Sequence, residues 1–511
     1  MRSISKKQYL FFVALSLAGC MVVWLATSSY GSGLSSDAIR IISAGQNFIE
    51  GRGLITSSGD ALVSWPPMYS ILLGLLSALF HSDVFTVGMY LNILVFGAIV
   101  FCSGMLLTLI KPDQPIYAYL GSLVVFSSPS LVRISANVAP DPLFILFVIL
   151  FLIRAVLYMR TPSTRNMTML LFIALLGVSQ RYPGLALIVT GAVIILYQQR
   201  AHLGRAVRDA AIFLLISSAP TVAWIYFHNY VEYGTLIGPH FLSIPWKNLI
   251  LALEKLLHWF IPGTILLKTG IWIWVAVAIL LLIIGLVQSR KRLRELFASG
   301  AFIPACVFFI TYGLSLIFIL SYKEHRPLLW DRVHIVILVP FLVILVELLQ
   351  VLVSEKLMDK SRTVLPVLLV GFGLWLVYPL ASTGQYVSDS MQNGEASLYN
   401  IHNTRAIRES QLAGYLGSFV PPEDALLYSN YNETAWFLTR RQVYGVPTID
   451  NEGDWPGISG ETYLIWFDLP ELRYMPKTML TLDEIKKIVN LIPVYSGEDG
   501  SVYQMIPFPV H

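Results

Sequence analysis

Apolar residues fall along this chain in long, nearly uncharged runs, not in the alternation of a half-buried strand or the single stripe of a surface helix. The runs lie at Tyr9 to about Ser29 and near 84–110, 115–131, 142–159, 168–180, 183–198, 210–228, 268–288, 300–320, 333–353 and 363–382. A run of about 18 residues is long enough to cross a bilayer, and it does so as a helix because lipid offers the backbone no hydrogen-bond partner. The pattern predicts an α-helical polytopic membrane protein with about eleven transmembrane helices. Two runs, 168–180 and 183–198, are short and flank Arg181-Tyr182-Pro183-Gly184, so they are expected to be tilted or incomplete. The first run follows Arg2, Lys6 and Lys7. Cleavage as a signal peptide near Ala26–Ser29 is the alternative, but its apolar stretch exceeds the usual roughly 7–15 residues, and it reads as a retained helix.

Three segments break this pattern. Residues 30–83 carry Ser35-Ser36-Asp37 as an N-cap, then Ile41, Ile42, Phe48 and Ile49 on one apolar face, with Gly51 and Gly53 ending the helix. Pro66-Pro67 then opens a second helix from Met68 to about Phe80, too short to span comfortably and expected along the interface. Residues 229–267 hold Trp246, Leu249, Leu253, Leu256, Leu257 and Trp259, the spacing of a helix lying on the membrane. Residues 383–511 are more polar. Strands are predicted there at Ala425–Ser429, Tyr463–Phe467, Leu491–Tyr495 and Ser501–Met505, with helices at Thr404–Ser418 and, capped by Thr481, at Leu482–Asn490. The chain divides accordingly into a transmembrane domain, 1–382, whose first outer loop is 30–83, and a small α/β extracytoplasmic domain, 383–511.

Composition agrees: 56% of the 511 residues are hydrophobic and 13% are charged, against roughly 25% charged in soluble domains. Charge placement orients the chain. Lys111, Arg160, Arg165, Arg200, Arg205, Arg208, the Arg290-Lys291-Arg292 cluster, Lys356, Lys360 and Arg362 all fall in alternate loops, which the positive-inside rule assigns to the cytoplasm. The N-terminus is then cytoplasmic and the C-terminal domain outside, in what is expected to be a bacterial inner membrane. No basic stripe with interleaved aromatics points to nucleic acid. Cys20, Cys102 and Cys306 all lie in apolar runs without metal-ligand spacing and read as packing residues.

Asp37 sits just past the outer end of the first run, and Asp141 at the outer start of 142–159. Two carboxylates at one membrane surface suit the binding of an acceptor hydroxyl and removal of its proton. Each equally suits a helix cap, Asp37 for the amphipathic helix and Asp141 ahead of Pro142. The run Asp37-Ala38-Ile39-Arg40, Asn47, Glu50-Gly51-Arg52-Gly53 and Trp65-Pro66-Pro67-Met68-Tyr69 resembles the first outer loop of GT-C glycosyltransferases, in particular the protein-mannosyltransferase and aminoarabinose-transferase-like group (glycosyltransferase family 39-like). Ala139-Pro140-Asp141-Pro142, Arg181-Tyr182-Pro183-Gly184 and His228-Asn229-Tyr230 with Tyr233-Gly234-Thr235 are similar to that group's later motifs, in the same order, over roughly residues 9–345.

The resemblance implies transfer of a sugar from a polyprenyl-phosphate-linked donor to an acceptor hydroxyl, with inversion. Asp37 would be the general base, Asp141 its helper, and a glycan, lipid or protein the acceptor. The leaving phosphate needs cations, because charge collects on it in the transition state. Arg181, Arg332, Lys268, His258 and Arg326 are the candidates; Arg332 reads alternatively as an interfacial anchor paired with Asp331. Trp65, Tyr69 and Tyr182 are candidates for substrate contact, although Trp and Tyr at an interface are usually belt residues. The sequence departs from the aminoarabinose-transferase branch at Ser64-Trp65, where acidic and Lys residues would precede the Pro-Pro pair, and no cofactor or metal is expected. Asn432-Glu433-Thr434 matches a glycosylation acceptor pattern, which is common by chance. The competing readings are a transporter or flippase of lipid-linked sugars, which would show repeats and interrupted helices near the midplane, and a polysaccharide polymerase or ligase using a diphosphate-linked donor.

Overall fold

The computed structural model describes residues 5–237, most of 254–323, 331–352, 361–394, 400–447, 461–469 and 479–507. Among the described residues, six helices are long and apolar enough to cross a membrane, or seven if one bent pair counts as a single span. The chain is a multi-pass membrane protein carrying a small sheet domain at one end of its bundle.

Helices α1 (Lys6–Thr27), α2 (Ser36–Ile49), α3 (Met68–Phe80) and α4 (Val84–Ile110) open the chain. Small residues let α1 and α4 approach closely: a Cβ on Gly104 would strike the Phe12 ring, and one on Gly97 would meet Cys20 and Ser16. That is how helices associate in lipid, where apolar surface alone gives no preference for protein over solvent. Ser16 donates to the Gly97 carbonyl at 2.8 Å and the Cys20 thiol to that of Ile93 at 3.4 Å, so Cys20 serves packing.

The run predicted as one span at 115–131 is instead two helices, α5 (Pro115–Ser127) and α6 (Pro129–Ser135), bent by 56°. Pro129 has no N–H to continue α5, and Ser128 recaps the chain by accepting from the Leu131 N–H. Then follow α7 (Asp141–Arg160), α8 (Thr164–Gln180), the 3₁₀ turn Tyr182–Gly184, α9 (Leu185–Gln198) and α10 (Leu203–Ala223), which runs into a π-helical stretch at Trp224–Glu232. Later helices are Gly263–Thr269, Phe302–Lys323, Leu338–Leu352 and Ser361–Asn393, the last running on past residue 382. The surface helix expected around Trp246 and most of the 268–288 span lie outside the described residues, as does Arg326.

The C-terminal sheet has the order β2 (Tyr444–Gly445), β1 (Leu426–Ser429), β3 (Thr462–Phe467), β5 (Gly500–Pro507), β4 (Val489–Gly497). The first three strands are parallel; β5 runs antiparallel to both β3 and β4. The helix expected at Thr404–Ser418 is two, Arg405–Arg408 and Gln411–Leu416, because Ser410 caps the second. The helix expected at Leu482–Asn490 stops at Ile488, where Val489 begins β4. Helix Asn432–Thr439 was not foreseen; Thr434, the third residue of the glycosylation pattern, is buried in it.

Candidate active site

Two loops separated by half the bundle are stitched together by backbone. The Gly33 N–H donates to the Ala136 carbonyl at 3.0 Å, and the Val138 N–H to the Gly33 carbonyl at 3.1 Å, a single β-bridge. A side chain at Gly33 would overlap Asn137 and press on Asn400, so the approach requires glycine. This bridge sets the N-terminus of α2 beside that of α7, and with them Asp37 and Asp141.

Ser35 caps α2 by accepting from the Ala38 N–H at 3.3 Å, which leaves the Asp37 carboxylate for another partner. That partner is Arg332, which donates to Asp37 Oδ2 at 2.6 Å. Arg332 is thus directed at Asp37, while Asp331 accepts from Ser130 at 3.2 Å. Asp141 caps nothing: Pro140 is the N-cap of α7, and the Asp141 carboxylate, 1% exposed, accepts from Arg181. Asp37, Asp141, Arg181, Arg332 and Trp65 line one small cavity, together with Ser35, Ile41 and the Val138–Pro140 backbone. Its volume, about 20 Å³, is room for roughly one water. Burial pushes the Asp37 carboxyl upward, but the Arg332 guanidinium, helped by Arg40 and Arg181, outweighs it and holds the carboxyl below its ordinary range.

The remaining predicted residues fall elsewhere. Tyr69 is buried, and its hydroxyl donates to Asn92 Oδ1 at 3.0 Å. Asn92, fully buried, in turn donates to the carbonyls of Asn137 at 2.7 Å and Ala139 at 3.3 Å. Gln180 adds a hydrogen bond to the Pro140 carbonyl at 3.1 Å. Tyr69 is therefore placed to brace the Asp141 loop from behind. Tyr182 donates to the Val63 carbonyl at 3.3 Å, and Asn229 donates to the same carbonyl at 3.0 Å, to the Tyr182 hydroxyl at 3.4 Å and to the Leu236 carbonyl at 2.7 Å. The wider π-helical turn brings Asn229 to this position, two residues from Trp65 in the braced segment. His258, 3.6 Å from Glu254, and the exposed Lys268 on Gly263–Thr269 do not line the cavity.

The C-terminal domain grips the same loop. Asn400 Oδ1 accepts from the Leu34 N–H at 2.9 Å, the Leu34 carbonyl accepts from Ile401 at 3.0 Å and His402 at 3.2 Å, and Asn403 donates to the carbonyls of Tyr30 and Ser32 at 2.7 and 2.8 Å. His402 lies between Ser36 Oγ at 2.9 Å and Thr434 Oγ1 at 2.7 Å, and Arg40 pairs with Glu433 at 3.0 Å. Nothing local in the sequence marks these residues, since their partners in the first loop lie far along the chain.

The fold has known counterparts. ArnT from Cupriavidus metallidurans in the apo state superposes with a TM-score of 0.58 at 14% identity, covering 96% of this chain and 97% of that one. The same protein bound to undecaprenyl phosphate gives 0.59 at 13% identity with equal coverage. The chain shares the fold of that protein over nearly its whole length. An Archaeoglobus fulgidus oligosaccharyltransferase in complex with Zn and sulfate shares this fold at a TM-score of 0.53 and 11% identity, over 97% of this chain and 74% of its own. No family model matches the sequence, and no curated protein does. Both site carboxylates are engaged by guanidinium groups, a donor set that does not suit a metal, and no group of three or more His, Cys, Asp or Glu fit to hold one occurs among the described residues.

Proposed function

We propose that the protein is a membrane glycosyltransferase that moves a sugar from a polyprenyl-phosphate-linked donor to an acceptor hydroxyl, at the outer face of a bacterial inner membrane. One observation carries the reading. Two carboxylates and two guanidinium groups line a single cavity at one end of an apolar bundle. Supporting it are the shared fold and the undecaprenyl phosphate held by one neighbour of that fold. A transporter would need its charged groups near the midplane instead.

In this mechanism Asp37 accepts the proton of the acceptor hydroxyl as its oxygen bonds to the anomeric carbon. The bond from that carbon to the phosphate oxygen breaks, its electron pair leaves with the polyprenyl phosphate, and the configuration inverts. Arg332 and Arg181 stabilise the charge that gathers on the phosphate. When the donor phosphate draws Arg332 away from Asp37, the half-buried carboxylate loses its main counter-charge and becomes a stronger base. Asp141, held by Arg181, orients the acceptor.

The test is Asp37→Asn in the full-length protein, supplied with polyprenyl-phosphate sugars and extracted acceptors. Transfer is expected to vanish with membrane yield unchanged; ordinary turnover in this variant would overturn the assignment.

A further inference from the structure

A second cavity, of about 350 Å³, lies on the seam between the first loop and the C-terminal domain. That volume falls within the range of small-molecule sites, roughly 300–1,000 Å³. It is polar and carries both signs of charge: Arg52, Arg440 and Arg441 stand against Glu423 and Asp424, with the amide of Gln442 between them. Much of the Arg441 guanidinium is spent on the carbonyls of Pro421, Pro422 and Glu423, which fixes the rim in place. The floor is fixed by a hydrogen bond from the Val443 N–H to the Ser57 carbonyl at 3.2 Å, and Gln442 packs over Gly59, whose positive φ of 88° admits it.

Two polar groups on the wall of this cavity are buried without a hydrogen-bond partner among the described residues: the Ser57 hydroxyl and Arg440 Nη1. Buried polar groups in native structures are nearly always satisfied, so an unsatisfied pair on one wall points to a ligand that supplies the bonds. Arg440 is held in place as the left-handed C-cap, φ 57°, that ends helix Asn432–Thr439.

We infer that this seam pocket binds a saccharide unit of the acceptor, and so that the acceptor is a glycan. Sugar hydroxyls both donate and accept, and they pair in turn with carboxylates, guanidinium groups and amides, the set present here. Arg52 is paired with Glu50, Arg440 with Asp83, and Arg441 is spent on carbonyls, so little positive charge is free for a lone phosphate beside Glu423 and Asp424, and an acyl chain would leave this wall unpaired. The pocket includes Asn47, ten residues along α2 from Asp37, a distance of roughly 15 Å, so a chain of sugars reaches from one to the other. This rests on the transferase reading only for the word acceptor; the binding site stands separately.

The experiment is calorimetric titration of the full-length protein in detergent with maltose, chitobiose and a galacturonate disaccharide, and with undecanol as the acyl probe. Binding of at least one saccharide is expected, weakened tenfold or more in Asp424→Ala and Gln442→Ala, two exposed positions whose loss leaves the fold intact, and unchanged in Asp37→Asn. Failure of all three saccharides to bind, binding indifferent to both rim variants, or binding of undecanol alone would overturn the site. Saccharide binding to the native protein without any sugar transfer from polyprenyl-phosphate donors would instead retain the site and remove the transferase reading.

Discussion

At the residue scale, the two acid–base pairs of the cavity differ in environment and so in what their loss should do. Asp141 is buried, and removing its partner by Arg181→Ala strands a carboxylate away from water, a change that costs about 3–5 kcal/mol in buried pairs. Thermal unfolding in detergent should show a marked drop in midpoint, partly recovered by adding Asp141→Asn; an unaltered midpoint would mean the pair is not buried as described. Asp37 is more accessible, and its pairing sets acidity instead. Its carboxyl is held below the ordinary value of about 3.9, so it remains ionised well into the acid range. With Arg332→Gln, burial is the dominant influence left and the carboxyl rises. The acid limb of the kcat/KM profile should therefore move to higher pH, and an unmoved limb would exclude Arg332 as the controlling charge. Asp37→Asn should remove the limb together with the activity.

At the scale of elements, the long spans were legible because lipid imposes one requirement on every residue of a helix. The runs read at 84–110 and 142–159 match α4 and α7 within a residue or so at each end. The bend at Ser128-Pro129 and the break at Ser410 were missed because their signal is one capping residue inside an apolar or helical pattern. The cavity was legible in part: Asp37, Asp141, Arg181 and Arg332 stood out as charges at the ends of apolar runs, where charge is expensive. Asn229 stood out within a motif, but the other residues that brace them, Asn92, Gln180 and Asn400, did not, since a buried amide is recognisable only through partners brought by the fold. Gly33 belongs to this class. Gly33→Ala should push Asn137 and Asn400 aside and separate the two acid-bearing loops, at an overpacking cost of about 1–3 kcal/mol. The expected readout is a fall in kcat far larger than the fall in melting temperature; equal, small effects would show that the bridge does not set the cavity.

At the scale of the whole molecule, the small domain and the bundle share an interface that should respond to pH. Burial drags the His402 imidazole down to about 4, with Glu433 opposing and Arg40 assisting. The unfolded side chain takes a proton below about 6.5 whereas the folded one resists until near 4, so the neutral histidine contributes stability above pH 6.5 that is lost as pH falls towards 4. The difference amounts to about 3 kcal/mol. Protease cleavage at the domain junction should rise as pH is lowered through this window in the native protein and remain flat in His402→Gln; identical profiles would remove His402 as the sensor.

The grip of Asn400 on Leu34 joins positions 366 residues apart in sequence. During synthesis the Asp37 helix leaves the ribosome early, whereas the residues that clamp its leading loop are made some 366 residues later and delivered to the same face. A half-made chain already inserted in lipid therefore carries Asp37 and Asp141 without their final alignment. Biogenesis acts as the safety catch: the cavity is completed by residues made late, and, on the proposed function, a chain truncated before residue 400 should insert normally yet transfer no sugar in a membrane assay.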